Sequence, residues 1–395
     1  MTPLQTLALL LPLAAWACHA PLGAKYVTVM GAVLVCGVWL RADGRLSAWV
    51  DAPGTTAAAA LCALLALSIA WTPATWPVAL GQLGQYLLPL LLGAVAAACP
   101  PDLARRALAH FVAATSAAAL VFVLAAAGLL PDAPMLWHTT TQSEGNQRIA
   151  ASILLALGAV LALWFASGSQ VRVRAAWAVL ALLCMAALAL QDRRSGMVLL
   201  PLLLLTWAWS SERRWRRQVL ALLAVVAMVG AAWQSSSMVR QRFSEGWREL
   251  QEYRADDQVA TSWGQRLRMW QVTADMVAER PLLGHGLGSW RIRWSERVTP
   301  GTPLAANTTP HSEVLLLAQQ AGLLAPLLWL VWLLTIARAG WSAGAGGVPA
   351  LLAVTALAWN GLFNSVLRDA KFALPLLLLA ALGLAVARGH PRRGG

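Results

Sequence analysis

The chain has 395 residues, of which 59% are hydrophobic and only 12% charged, with a mean hydropathy of +0.62. A water-soluble fold has no interior large enough to hide that much apolar surface, so a set of soluble domains is excluded and lipid takes the place of solvent. The balance of 30 Lys+Arg against 17 Asp+Glu is strongly basic, but the basic residues sit between apolar runs, which is the pattern of membrane orientation and not of a nucleic-acid-binding face.

Crossing a bilayer takes about 20 mostly apolar residues per helix. In chain order such stretches fall at 4–18, 25–40, 56–71, 77–98, 104–130, 149–167, 174–190, 196–210, 218–233, 311–337, 348–366 and 371–388. The predicted fold class is therefore an all-α polytopic membrane protein with about twelve transmembrane helices. The apolar run from Leu7 has no basic segment ahead of it and reads as a retained first span. The cysteines, Cys18, Cys36, Cys62, Cys99 and Cys184, lie within or at the ends of apolar stretches, without CxxC or Cys/His spacing, and read as small core residues.

The breaks between spans alternate in charge. One set carries Arg41 and Arg45, Arg105 and Arg106, Arg172 and Arg174, the Arg213–Arg217 cluster, Arg338, Arg388, Arg392 and Arg393. The other carries only Lys25, Arg148, Arg193, Arg194, Arg368 and Lys371 in its short loops. The positive-inside rule makes the first set cytoplasmic and puts both termini inside. Residues 234–310 then face outward as the one long loop, joined to a single transmembrane domain over 1–395. Two amphipathic helices are expected in it, at 237–254 and 265–280, the second ending at Pro281. Gly284, Gly286 and Gly288 in LLGHGLGSW mark a tight turn; with no strand ahead of them they do not make a dinucleotide site.

Arginine is costly near lipid, so arginines on the outer side need a reason. Gln191-Asp192-Arg193-Arg194-Ser195-Gly196 sets two arginines against one Asp between apolar spans, leaving uncompensated positive charge suited to an anion, the bland alternative being a snorkelling pair. In the loop, Arg266 and Trp270 are four apart, so the ring can pack the guanidinium stem; a solvated helix face is the alternative. Thr309 as N-cap and Pro310 at the first helical position would open the tenth span, placing His311 in its first turn, where the helix dipole favours the neutral imidazole of a general base. His311 alone among the histidines combines a helix start with the end of the outer loop. The bland alternative is an interfacial residue.

Taken together, DRRSGMV after the seventh span, GQRLRMWQVTADMVAERPLLGHGLGSW in the loop and PHSEVLLLAQQAGLLAPL at the tenth span resemble the O-antigen ligase and polymerase family of bacterial inner-membrane proteins, over about residues 145–385. The resemblance implies a GT-C-like bundle with a partly helical periplasmic loop and glycan transfer from undecaprenyl pyrophosphate at the periplasmic face. It maps the family's site residues onto Arg194, Arg266 and His311, with Arg193 an equal candidate for the first. The chain departs from the family where Asp192 or Arg193 stands in place of Ser, and where Ser312 follows His311 in place of Asn. Arg194, Arg193, Arg266 and Arg148 would bind the pyrophosphate and His311 would deprotonate an acceptor hydroxyl. That mechanism inverts the sugar and needs no metal or cofactor, because arginine forks stabilise the leaving group. Of the acceptors the resemblance allows, lipid A core oligosaccharide is favoured by the single long loop and basic outer face. Another lipid-linked repeat unit (a polymerase) and a protein Ser or Thr are the alternatives within the family. A lipid-linked glycan flippase is the alternative from another class. The expected partners are the lipid-linked donor, the acceptor and membrane lipids, with no nucleic acid.

Overall fold

The computed structural model describes residues 2–130, 146–191, 194–211, 215–235, 237–253, 256–257 and 259–390, and among them there is helix and no strand. The N-terminal half runs through α1 (Pro3–Ala17), α2 (Leu22–Ala42), α3 (Leu46–Val50), α4 (Thr55–Ser68), α5 (Trp76–Tyr86), α6 (Leu88–Ala98), α7 (Pro101–Ala126), α8 (Asn146–Ser167) and α9 (Val171–Leu190). It continues through α10 (Arg194–Ser211), α11 (Trp215–Ser235), α12 (Ser237–Gln251), α13 (Ser262–Glu279), α14 (Trp290–Ser295), α15 (Glu313–Ala321), α16 (Leu324–Ser342), α17 (Val348–Phe363) and α18 (Ala370–Arg388). Proline opens α5, α6, α7 and α17 within their first two residues, where its missing N–H costs nothing.

Each of the apolar stretches read from the sequence is helical. Among the described residues, eight helices are long and apolar enough to cross a membrane, and Pro3–Ala17, Thr55–Trp71 and Ser195–Ser210 are shorter apolar helices. α18 packs against α2, α6, α7, α8, α16 and α17, and it and α8 are almost wholly enclosed by the other helices. Others present an apolar stripe outward, as α2 does with Val27, Leu34 and Val38. A stripe exposed at that spacing is what a lipid-facing helix requires. Small residues let backbones approach: a Cβ on Gly383 would stand 2.3 Å from the Ala350 nitrogen, and one on Gly196 would stand 2.4 Å from the Ser152 carbonyl oxygen.

The tenth stretch, expected as one span from 311 to 337, is two helices. Gly322 (φ +79) breaks it, and its carbonyl neighbour Leu282 O would lie 2.0 Å from any Cβ there. α15 therefore belongs to the outer layer, packed against α13, and α16 is the helix long enough to span. The loop holds the two expected helices as α12 and α13. Its own core consists of Met269, Val272, Met276, Trp290, Trp294, Val298 and Leu304, closed by Leu316 of α15. Trp290 and Trp294 stack at 5.0 Å and are fully buried.

The glycine-rich turn fastens this layer to the bundle. Gly284, Gly286 and Gly288 all have positive φ, and a Cβ on Gly286 would stand 2.4 Å from Thr72 Cα. That close approach permits backbone bonds in two directions. His285 N–H and Gly286 N–H donate to the carbonyls of Gln319 and Gln320 at 2.7 and 2.8 Å. On the other side, Leu287 N–H donates to Ser68 Oγ at 3.1 Å and the Thr72 hydroxyl donates to Leu287 O at 2.7 Å. The turn satisfies the orphan carbonyls at the end of α15 while it seats the loop.

Candidate functional site

His311 lies just ahead of α15. Ser312, not Thr309, is the N-cap, its side chain accepting from Leu315 N–H, and the helix starts at Glu313. This corrects the expected start at Pro310. The prolyl ring and the following turn send the chain into the cleft first, and His311 sits at φ +49 as the one described non-glycine residue with positive φ. Such backbone strain is held in place by its surroundings and is concentrated at functional sites. Serine is a strong N-cap residue, so Ser312 suits this position.

His311 lines a cleft of about 340 Å³ together with Tyr26, Gln85, Asn146, Arg368 and Asp369. The cleft's remaining polar wall comes from Thr308, Thr309 and Ser365. Two helices begin on it, α2 at Leu22 and α18 at Ala370, whose N-cap is Asp369, and Asn146 of α8 adds to its wall. Helix N-termini carry partial positive charge and unsatisfied N–H groups, so their convergence favours an anion.

The groups are fixed by their neighbours. Arg368 Nη1 donates to the Thr308 carbonyl, which ties the α17–α18 turn to the segment that carries His311. Asn146 Nδ2 donates to Asp369 Oδ2 at 2.9 Å, while Lys371 N–H donates to Asp369 Oδ1 at 3.0 Å. Glu313, fully buried, accepts from Leu367 N–H at 2.8 Å, so the first residue of α15 holds the same turn from the other side. Burial pushes the Glu313 carboxyl up to about 7, even though the Leu367 amide, the nearby Tyr86 hydroxyl and Arg368 favour its charged form. Tyr26 and Gln85 form a reciprocal pair, the Tyr26 hydroxyl donating to Gln85 Oε1 at 2.9 Å and accepting from Gln85 Nε2 at 2.7 Å.

Burial is the largest cause that lowers His311, to about 4; Arg266 and Arg368 lower it further, and Asp369 opposes them. The imidazole is thus neutral at pH 7, able to accept a proton, as the sequence implies, but through burial and two guanidinium groups and not through a place inside the helix. Arg368 lines the cleft with His311, and Arg266 is close enough for its charge to bear on the imidazole. The Arg266 guanidinium lies over Trp263, 5.8 Å from the ring centroid. Trp270 packs edge-on to Trp263 at 6.3 Å and against Phe363 at 6.0 Å. Phe363, at the end of α17, makes Trp270 part of the joint between loop and bundle.

Arg148 stands half-buried in the first turn of α8, two residues after Asn146. Arg193, Asp192 and the side chain of Arg194 lie outside the described residues. The backbone of Arg194 opens α10, and the contact of Gly196 with Ser152 sets that end beside the start of α8. Asp257, the neighbour in the Asp256-Asp257 pair, accepts from Arg268 Nε at 3.0 Å and from Thr299 N–H and Oγ1 at 2.9 Å, a clamp inside the loop.

Sequence reasoning missed Arg368, Asp369, Tyr26, Gln85 and Asn146. The basic break at Arg368 and Lys371 was the available signal, since it stands on the outer side with Arg148 and Arg194. No curated protein matches the chain. Residues 178–330, which contain Arg194, Arg266 and His311, match the family model for O-antigen ligase, which is consistent with membership of the O-antigen ligase family.

Proposed function

We propose that the protein is an O-antigen ligase of the bacterial inner membrane, with both termini cytoplasmic and the cleft at the periplasmic face. It transfers glycan from undecaprenyl pyrophosphate to a sugar hydroxyl of lipid A core oligosaccharide. The observation that carries this reading is His311 and Arg368 together at a cleft onto which α2 and α18 open their N-termini, with the charge of Arg266 bearing on the same imidazole. A diphosphate carries the charge that such a place favours, and a neutral buried imidazole beside it is a proton acceptor.

In the proposed reaction the acceptor hydroxyl attacks the anomeric carbon and gives its proton to His311 Nε2 or Nδ1. The bond from that carbon to the diphosphate oxygen breaks, and the leaving diphosphate takes the electron pair. Arg266 and Arg368, joined by Arg194, Arg193 and Arg148, stabilise the charge that develops there. Attack opposite the leaving group inverts the sugar. The arginines occupy the role a divalent cation plays elsewhere, so chelator leaves the rate unchanged. The Tyr26–Gln85 pair offers hydrogen-bonding groups suited to sugar hydroxyls along the same wall. Loop 234–310 acts as a cover over the cleft and belongs to one functional unit with the bundle.

Purified protein offered a polyprenyl-diphosphate glycan and rough lipopolysaccharide tests this. Wild type should extend the lipopolysaccharide, and His311→Ala should bind donor without transfer. Growth of the lipid-linked chain in place of lipopolysaccharide modification would make the protein a polymerase, and normal transfer by His311→Ala would remove the proposed base.

A further inference from the structure

The chain uses arginine for almost every positive charge; Lys25 and Lys371 are its only lysines. The fold brings these two together. Lys25, in the first turn of α2, and Lys371, in the first turn of α18, line one small cavity with His19, Cys18 and Gln147. This cavity has a volume of about 30 Å³, room for about two water molecules. It adjoins the larger cleft: Leu22 lines both, and Asn146 and Asp369 on the cleft side are each one or two residues from Gln147 and Lys371 on the other.

Lys25 is only 8% exposed, and among the described residues neither ammonium group has an ion-pairing carboxylate. The nearest candidate, Asp369, has its two oxygens engaged by Asn146 and by the Lys371 amide. The ring nitrogen of His19 is likewise engaged, with Thr115 Oγ1 at 2.9 Å. Two lysines beside the one carboxylate of Asp369 leave a net positive charge next to the buried Lys25, which is costly unless an anion completes the site. The residue type matters too, because an ammonium group on a flexible stem can reach a phosphate as a point charge where a guanidinium fork needs a planar partner.

Resting on the diphosphate reading above, we propose that Lys25 and Lys371 form the second phosphate subsite, each arm of the donor diphosphate having its own cations: one phosphate at Arg266 and Arg368, the other at the mouth of the lysine cavity. This subsite makes the site discriminate a diphosphate from a monophosphate.

Having only two lysines makes the test direct. The detergent-solubilised full chain is acetylated with a water-soluble amine reagent, with inorganic pyrophosphate, with orthophosphate, or with neither, and the extent at Lys25 and Lys371 is read by mass spectrometry. Pyrophosphate should slow acetylation of both lysines several-fold while orthophosphate protects much less. In titrations, the double variant Lys25→Gln, Lys371→Gln should bind pyrophosphate about tenfold more weakly, losing one set of charge-assisted contacts, with orthophosphate affinity little changed. Lys25→Arg should retain part of the preference. Wild type that binds pyrophosphate without protecting either lysine, or a double variant that weakens both anions equally, overturns the subsite and leaves the diphosphate reading standing. Absence of pyrophosphate binding by wild type overturns that reading and the subsite with it.

Discussion

The general-base assignment of His311 makes a quantitative claim about acid. An ordinary imidazole titrates at 6.5, whereas burial, Arg266 and Arg368 bring this one to about 4. At pH 5.5 a histidine at the ordinary value would be about nine-tenths protonated, while His311 would be only about one-thirtieth protonated. The kcat/KM for transfer, which reports the free enzyme, should therefore fall on its acid limb near pH 4 and lie within a few per cent of its plateau at pH 5.5. Arg266→Gln removes one of the two charges that depress the imidazole, so its limb should move to higher pH even as its overall rate falls. Bound diphosphate compensates the same guanidinium charges, which sets the acid limb of kcat above that of kcat/KM. The assay is the initial rate of glycan transfer at donor concentrations well below and well above KM, between pH 3.5 and 8. A wild-type limb at 6.5 or higher in kcat/KM, or an Arg266→Gln limb that does not move, would refute the reasoning.

Arg368→Gln should weaken donor diphosphate binding by about tenfold, the loss of a charge-assisted contact, measured by titration with inorganic pyrophosphate. An unchanged affinity would leave Arg368 with only its bond to Thr308. Gly286→Ala combines φ +93 with a backbone contact at 2.4 Å, whereas Gly301→Ala meets φ +81 in open space. The second should cost roughly 1–2 kcal/mol of left-handed strain and the first distinctly more, visible as a larger drop in melting temperature. Equal shifts would mean that the glycine turn is not what seats the loop. Glu313 is held up to about 7, above its unfolded value, so the folded chain binds that proton more tightly. Its stabilising contribution is complete below the unfolded value and declines as pH rises through about 7. Glu313→Gln should therefore flatten the fall in melting temperature between pH 5 and 8, and a slope as steep as wild type would show that the group does not titrate there.

Much of the fold was legible because lipid imposes a simple rule on sequence. Apolar runs bounded by charge became helices at nearly the expected ends, and α12 and α13 fell where amphipathic spacing put them. Arg266 is close enough to His311 for its charge to bear on the imidazole. The errors share a cause: each depended on a contact between distant parts of the chain. Pro310 looks like a helix start because the local rule is satisfied, but Arg368, far along the chain, fixes the carbonyl of Thr308 and His311 turns into the cleft before Ser312 caps the helix. The packing of Trp270 against Phe363 lies beyond helical spacing, since the partner comes from α17. The break at Gly322 was hidden for the same reason, since the requirement comes from Leu282 and not from its own neighbours. The meeting of Lys25 with Lys371 needed the bundle itself.

The nine residues of α15 have two allegiances. Leu316 completes the core of the outer layer, and Glu313 holds the turn that carries Arg368, while the far end of the helix receives the glycine-rich turn. Outer-loop sequence can therefore be exchanged between proteins of this kind only as a cassette that keeps its docking plug. A graft of residues 237–310 would need to retain Gly284, Gly286 and Gly288 to fit the existing carbonyls of Gln319 and Gln320, and Arg266 and the Thr308 position to keep the cleft's charges in place. The rest of the loop surface could then diverge over an unchanged cleft.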